Sequence, residues 1–118
     1  MNLFAHLFQQ HSAAPPNWIE DETMSAWLPT DDAPPVVDVR GADEFTGLRG
    51  RIDGEINIPL PDQPAHVDNL RTNRKPLVLV CETDRRSSAA ADQLRAAGFA
   101  NISVLRGGME RWRTLGLR

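Results

Sequence analysis

Apolar positions in this chain fall into short runs whose spacing changes along the sequence. Val36-Val37-Asp38-Val39 is a β-branched run behind two prolines and predicts a strand. Ile56-Asn57-Ile58, ahead of Pro59, predicts a shorter one. Leu77-Val78-Leu79-Val80 is uninterrupted, the pattern of a strand buried on both faces of a parallel sheet, and Ile102-Ser103-Val104-Leu105 predicts another strand. Between these runs the period becomes helical. Met24, Trp27 and Leu28 form an i, i+3, i+4 set in Glu20–Leu28, whose acidic start suits the helix dipole. Asp43-Glu44-Phe45 opens a short helix limited by Gly47 and Gly50, and 63–72 predicts a helix with Pro64 in its first turn. Ser87–Ala97 is the strongest helix: alanine-rich, with Ala90, Leu94 and Ala97 on one face and Gly98 as its stop. Gly107-Gly108 turns into a last helix carrying Met109, Trp112 and Leu115. Helices and strands thus alternate from residue 20 onward, which predicts an α/β domain with a mainly parallel sheet.

Length limits this to one domain, because 118 residues cannot supply two self-sufficient cores. No apolar run approaches the ~20 residues of a membrane helix. A net charge of −3 argues against a nucleic-acid binder that relies on a basic surface. A single cysteine excludes an internal disulfide and a Cys-rich metal site, and it permits a reducing compartment; a cytoplasmic setting is expected. Charge is unevenly spread. Residues 1–68 hold 12 acids and three bases, and residues 69–118 hold four acids and ten bases. Either the two halves fold against each other, or the cationic end attracts an anionic substrate. The first ten residues, MNLFAHLFQQ, space Leu3, Phe4, Leu7 and Phe8 as a short docking helix would, and Pro15-Pro16 sets them apart. Trp18, Trp27 and Trp112 are expected in the core.

The chemistry concentrates in 77–97. Cys81 directly follows the buried strand, where open α/β sheets place their sites. Arg85 and Arg86 lie close by, and a helix begins near Ser87. A loop curling round the sulfur would aim its backbone N–H groups at a thiolate, a persulfide or a substrate oxyanion. Helix N-termini and nearby cations also favour the thiolate. A plain buried cysteine is the competing reading. Arg40 and Glu44, four residues apart, are expected to pair locally.

Four segments in order carry a family resemblance. Val36-Val37-Asp38-Val39-Arg40 ends a strand in Asp-x-Arg. Gly50 through Pro59, GRIDGEINIP, resembles Gly-His-Ile-x-Gly-Ala-x-Asn-Ile-Pro. Cys81-Glu82-Thr83-Asp84-Arg85-Arg86-Ser87 has the form Cys-x4-Arg-Ser, and Ala96-Ala97-Gly98-Phe99 with Leu105-Arg106-Gly107-Gly108-Met109 and Trp112 supplies a closing signature. Over roughly 18–116 the chain resembles the rhodanese-like domain family. Residues 1–17 are then an N-terminal extension and 18–118 the domain. The resemblance implies a five-stranded, mostly parallel sheet with helices on both faces, and neither a metal nor an organic cofactor. It implies that Cys81 is the nucleophile, that Glu82, Thr83, Asp84, Arg85 and Ser87 belong to the substrate-holding loop, and that Arg86 closes it. Four positions depart from the pattern: Glu82 and Asp84 bring carboxylates into the loop, and Arg51 and Glu55 replace the usual His and Ala, changes read as scaffold. Two loop carboxylates count against small dianionic donors such as thiosulfate and toward protein persulfides or polysulfides.

The expected activity is sulfur transfer from a small donor through a Cys81 persulfide to a thiol or cyanide acceptor, or to a protein sulfur carrier. With no second cysteine, an outside acceptor must finish the turnover. The chain is expected to act as a monomer without nucleic acid or membrane. A non-catalytic or relay domain is one alternative. Phosphatase or arsenate chemistry is another, but it resembles Cys-x5-Arg, and residue 87 is Ser.

Overall fold

The computed structural model describes residues 17–71 and 76–117. The expected docking helix near the N-terminus lies outside them. Five strands form one sheet: β1 (Asn17–Ile19), β2 (Val36–Asp38), β3 (Ile56–Asn57), β4 (Leu77–Val80) and β5 (Ile102–Leu105). Their order is β1-β5-β4-β2-β3, and every neighbouring pair is parallel. The helices are α1 (Asp21–Trp27), α2 (Ala42–Phe45), α3 (Gln63–Arg71), α4 (Arg85–Ala96) and α5 (Gly108–Thr114). A 3-10 turn at Leu60–Asp62 leads into α3.

Strand pleat divides the core in two. β4 occupies the middle of the sheet, and all four of its residues are buried. Leu77 and Leu79 point to one face, with Val37, Ile102 and Val104 from the neighbouring strands. Ala90, Ala91 and Leu94 of α4 cover that face, and Val67 and Leu70 of α3 pack against it. Val78 and Val80 point to the other face, where Met24 of α1 and Met109 and Trp112 of α5 cover them. Helices therefore sit on both sides of the sheet. Successive side chains of a strand alternate between faces, so Cys81, next after Val80, joins the α3/α4 side.

Helix α4 ends by the chemistry its sequence provides. Gly98 takes φ +99°, a conformation that disfavours any side chain; its N–H bonds to Arg95 O at 3.0 Å, and Phe99 N–H bonds to Leu94 O at 3.0 Å. This is the Schellman arrangement, which satisfies the orphan carbonyls of the last turn.

Four local expectations need correction. The sequence pattern gives no sign of β1: it is three residues long and follows Pro16, and only Ile19 is buried, too little for a periodic signal. It gains its place by pairing with β5, Asn17 opposite Ser103 and Ile19 opposite Leu105. Trp18 is not core; it lies at the edge, 37% exposed, with the Arg106 guanidinium 4.9 Å from its ring centre. Leu115 also faces solvent, because α5 ends at Thr114 before the buried stripe would return. Helix α4 starts at Arg85, two residues before Ser87. Trp112 is buried as expected, and Trp27 packs partly buried against the same cluster.

Leu79 is fully buried in the central strand. Leu79→Ala is expected to cost about 3 kcal/mol, since surrounding strands and helices leave little room to collapse into the cavity. Guanidinium denaturation should show the loss as a lowered midpoint at unchanged slope.

Candidate active site around Cys81

The end of β4 delivers Cys81 to the carboxyl edge of the sheet, and the chain then turns sharply into α4. Cys81 has no exposed surface. Its Sγ lies 3.3 Å from Ser87 Oγ and accepts from the Ser87 N–H at 3.4 Å. The sulfur thus faces the first turn of a 12-residue helix, where backbone donors have no intrahelical partner. A cup of several inward amides is the sequence expectation; the amide that reaches Sγ is that of Ser87. Ser87 is itself fully buried, so its hydroxyl and amide are held in place for this contact.

The loop is clamped from outside by α5. Met109 N–H donates to Cys81 O at 2.9 Å, and Glu110 N–H to Glu82 O at 2.8 Å. The start of one helix thereby binds the backbone of the Cys81 loop. Gly108 makes this approach possible: it has φ +59°, and a Cβ there would run into the carbonyl oxygens of Thr83 and Cys81. Asp84 adds a side-chain tie, its Oδ2 accepting from Gly107 N–H at 3.0 Å. Asp84 O in turn accepts from Ser88 N–H at 3.0 Å and Ser88 Oγ–H at 2.6 Å.

The loop's charged side chains are engaged with the scaffold. Arg86 donates to both oxygens of Glu44 on α2, at 2.6 and 2.9 Å. Those bonds hold Glu44 down at about 2 and push the Arg86 guanidinium up. Glu82 accepts from Arg113 of α5, through Oε1 at 3.2 Å and through Oε2. Arg40 and Arg49 each place a guanidinium nitrogen 3.6 Å from the same carboxylate. Thr83 and Arg85 are exposed. The site residues predicted from sequence therefore divide into three groups. Cys81 and Ser87 meet; Glu82, Asp84 and Arg86 brace the loop; Thr83 and Arg85 face solvent.

The expected local pair of Arg40 with Glu44 does not form. Arg40 turns back two residues to Asp38, with Nε 3.0 Å from Oδ1 and Nη2 2.8 Å from Oδ2, and Nη2 also donates to Gly50 O at 2.9 Å. Both Asp38 and Arg40 are fully buried. A buried guanidinium needs a partner at close range, and Asp38 at the end of β2 supplies it, leaving Glu44 to Arg86. The carboxyl of Glu55 is packed beside this pair. Burial, and then the Asp38 carboxylate next to it, push Glu55 up to about 9. At neutral pH it keeps its proton.

Sequence reasoning missed Glu44 and Arg113 as parts of the site. Both lie far along the chain from residue 81, and no local spacing links them to it. The oppositely charged halves of the chain do meet: Arg86 pairs with Glu44, Arg106 with Glu20 and Arg111 with Asp21. Among the described residues, no helix is long and apolar enough to cross a membrane.

A Cys-x4-Arg-Ser loop closed over a sulfur at the head of a helix, on a five-stranded parallel sheet, is the architecture that the resemblance implied. The model of the rhodanese-like domain matches residues 21–115, and the chain belongs to that family. Among curated proteins, it is 40% identical over 77 residues to "Uncharacterized protein YqhL" of Bacillus subtilis, covering 65% of this chain and 59% of that one. It is 26% identical over 106 residues to "Putative sulfur carrier protein YrkF" of the same organism, covering 87% and 56%. The chain thus spans little more than half the length of these relatives. A solved Rhodopseudomonas palustris protein of unknown function, described as a possible tyrosine phosphatase, superposes with a TM-score of 0.81 at 20% identity, covering 100% of this chain and 93% of that one. That likeness is one of fold alone.

The two shifted carboxyls make opposite contributions to stability. Glu44, lowered from 4.5 to about 2, stabilises the fold above its ordinary value, and the gain is lost as pH falls toward 2. Glu55, raised from 4.5 to about 9, keeps its proton in the fold after the unfolded chain has released it, so its contribution is lost as pH rises through that window. Glu55→Gln carries no titrating proton. Thermal melts from pH 5 to pH 9, as round settings inside that window, should show a smaller decline for this variant than for the unmodified protein.

Proposed function

We propose that the chain is a sulfurtransferase that moves sulfane sulfur from a donor to a thiophilic acceptor through a persulfide on Cys81. One observation carries this reading: the chain's single cysteine stands at the carboxyl end of the central strand with its Sγ facing the Ser87 N–H and hydroxyl. Membership of the rhodanese-like family supports it.

In the first half-reaction the Cys81 thiolate attacks the outer sulfur of the donor. The Sγ–S bond forms, the donor's S–S bond breaks, and its electron pair leaves on the first product, sulfite from thiosulfate or a thiolate from a persulfide. An acceptor thiolate or cyanide then attacks the outer sulfur of the Cys81 persulfide, and the electron pair returns to Sγ. This is double displacement through a covalent intermediate. The Ser87 amide, positioned before reaction, stabilises negative charge on either sulfur without reorganising. Because Cys81 has no exposed surface, turnover includes a step that uncovers the sulfur.

A relay role, in which the acceptor is a protein sulfur carrier, is the second reading. The buried sulfur favours it, because a docked partner can open the loop where a small donor gains nothing from doing so. Likeness to a protein named as a sulfur carrier supports it too. Phosphoryl or arsenate chemistry is disfavoured on two grounds. The loop is one residue shorter than Cys-x5-Arg, and Arg86 is spent on Glu44, not presented to a tetrahedral oxyanion.

After incubation with thiosulfate or a thiol persulfide, intact-mass spectrometry should show the chain heavier by one sulfur atom. Added cyanide should remove that sulfur, and Cys81→Ser should never acquire it. A chain that gains no sulfur from any donor would refute the reading.

A further inference from the structure

Glu82 is a departure from the family pattern, and the structure gives it a definite place. It follows the nucleophile directly, its side chain is 15% exposed, and three guanidiniums converge on its one carboxylate. Arg113 bonds to it; Arg40 and Arg49 stand 3.6 Å away. Arg49 and Arg113 are partly solvent-exposed, 70% and 31%, so without Glu82 their charge would be open to an incoming anion. Arg86 is already committed to Glu44. Cationic groups around the loop are therefore plentiful but engaged.

We propose that Glu82 is a specificity-determining residue: by engaging Arg49 and Arg113 it withdraws free positive charge from beside Cys81 and turns the site from doubly charged donors such as thiosulfate toward thiol persulfides. The inference rests on the sulfur-transfer reading. A dianion depends on an uncompensated cationic field both to approach and to bind, and a neutral or singly charged donor depends on it far less. The two half-reactions differ accordingly. Thiosulfate gives up its outer sulfur to Sγ, and the electron pair leaves on sulfite, which keeps two negative charges at the loop. A thiol persulfide gives up its outer sulfur and leaves as a thiolate that takes a proton from solvent. Glu82 acts here through its arginines and does not touch the reacting sulfurs.

The test compares loading of Cys81 by thiosulfate and by cysteine persulfide, followed by mass spectrometry in single turnover, in the unmodified chain and in Glu82→Gln. Loss of the carboxylate should raise the thiosulfate-to-persulfide ratio of second-order rate constants about tenfold at low salt, and added salt should erase the gain. Adding Arg49→Gln to Glu82→Gln should reverse part of it. A ratio unchanged or lowered in Glu82→Gln, with both donors still loading, overturns the role of Glu82 and leaves sulfur transfer standing. If neither donor loads the unmodified chain, sulfur transfer itself fails, and this inference with it. Should Glu82→Gln not fold, the unmodified chain decides. Thiosulfate loading insensitive to ionic strength supports the inference, and loading that falls steeply with added salt overturns it.

Discussion

The structure turns on the closure of one short loop, in which the Ser87 N–H returns to the sulfur of Cys81. Strand β4 is buried on both faces, so strict alternation decides where residue 81 points, and it points into the α3/α4 side of the core. A loop placed there has polar backbone that must be satisfied. Helix α5 supplies the answer, with the amides of Met109 and Glu110 on the carbonyls of Cys81 and Glu82. The glycine at 108 allows the contact. Two helices therefore meet at this loop, α4 contributing the donor to sulfur and α5 the donors to the loop's own carbonyls.

Around that closure lies a charged scaffold that a small protein does not need for stability alone. Burying Asp38 and Arg40 takes two ions out of water, and pairing of this kind often does little more than offset the desolvation. Its geometric effect is larger. Arg40 connects the end of β2 to Gly50 O and approaches Glu82, so the second strand, the Gly50 turn and the Cys81 loop share one guanidinium. Glu44 and Arg86 make a second tie between α2 and the head of α4. Both ties hold the loop in register with the sheet. Both also neutralise guanidinium charge at this edge of the sheet.

Much of this protein could be read along the chain, because it is encoded in local patterns. Unbroken apolar runs specify buried strands, the alanine-rich stretch specifies α4, and Gly98 specifies its end. The position of Cys81 between β4 and α4 is equally local, as is the order of motifs that marks the rhodanese-like family. What only the tertiary structure decided concerns partners distant in sequence. β1 exists because β5 offers it an edge; three residues hold no periodic information of their own. Arg40 has two carboxylates within helical or strand reach, and spacing alone cannot tell that burial selects Asp38 and releases Glu44 to an arginine 42 residues away. Nor can spacing reveal that Glu82 faces three arginines from three separate segments. Hydrophobic periodicity reports which face of an element is covered, whereas ion pairs depend on distances that exist only after the sheet has brought its loops to one edge.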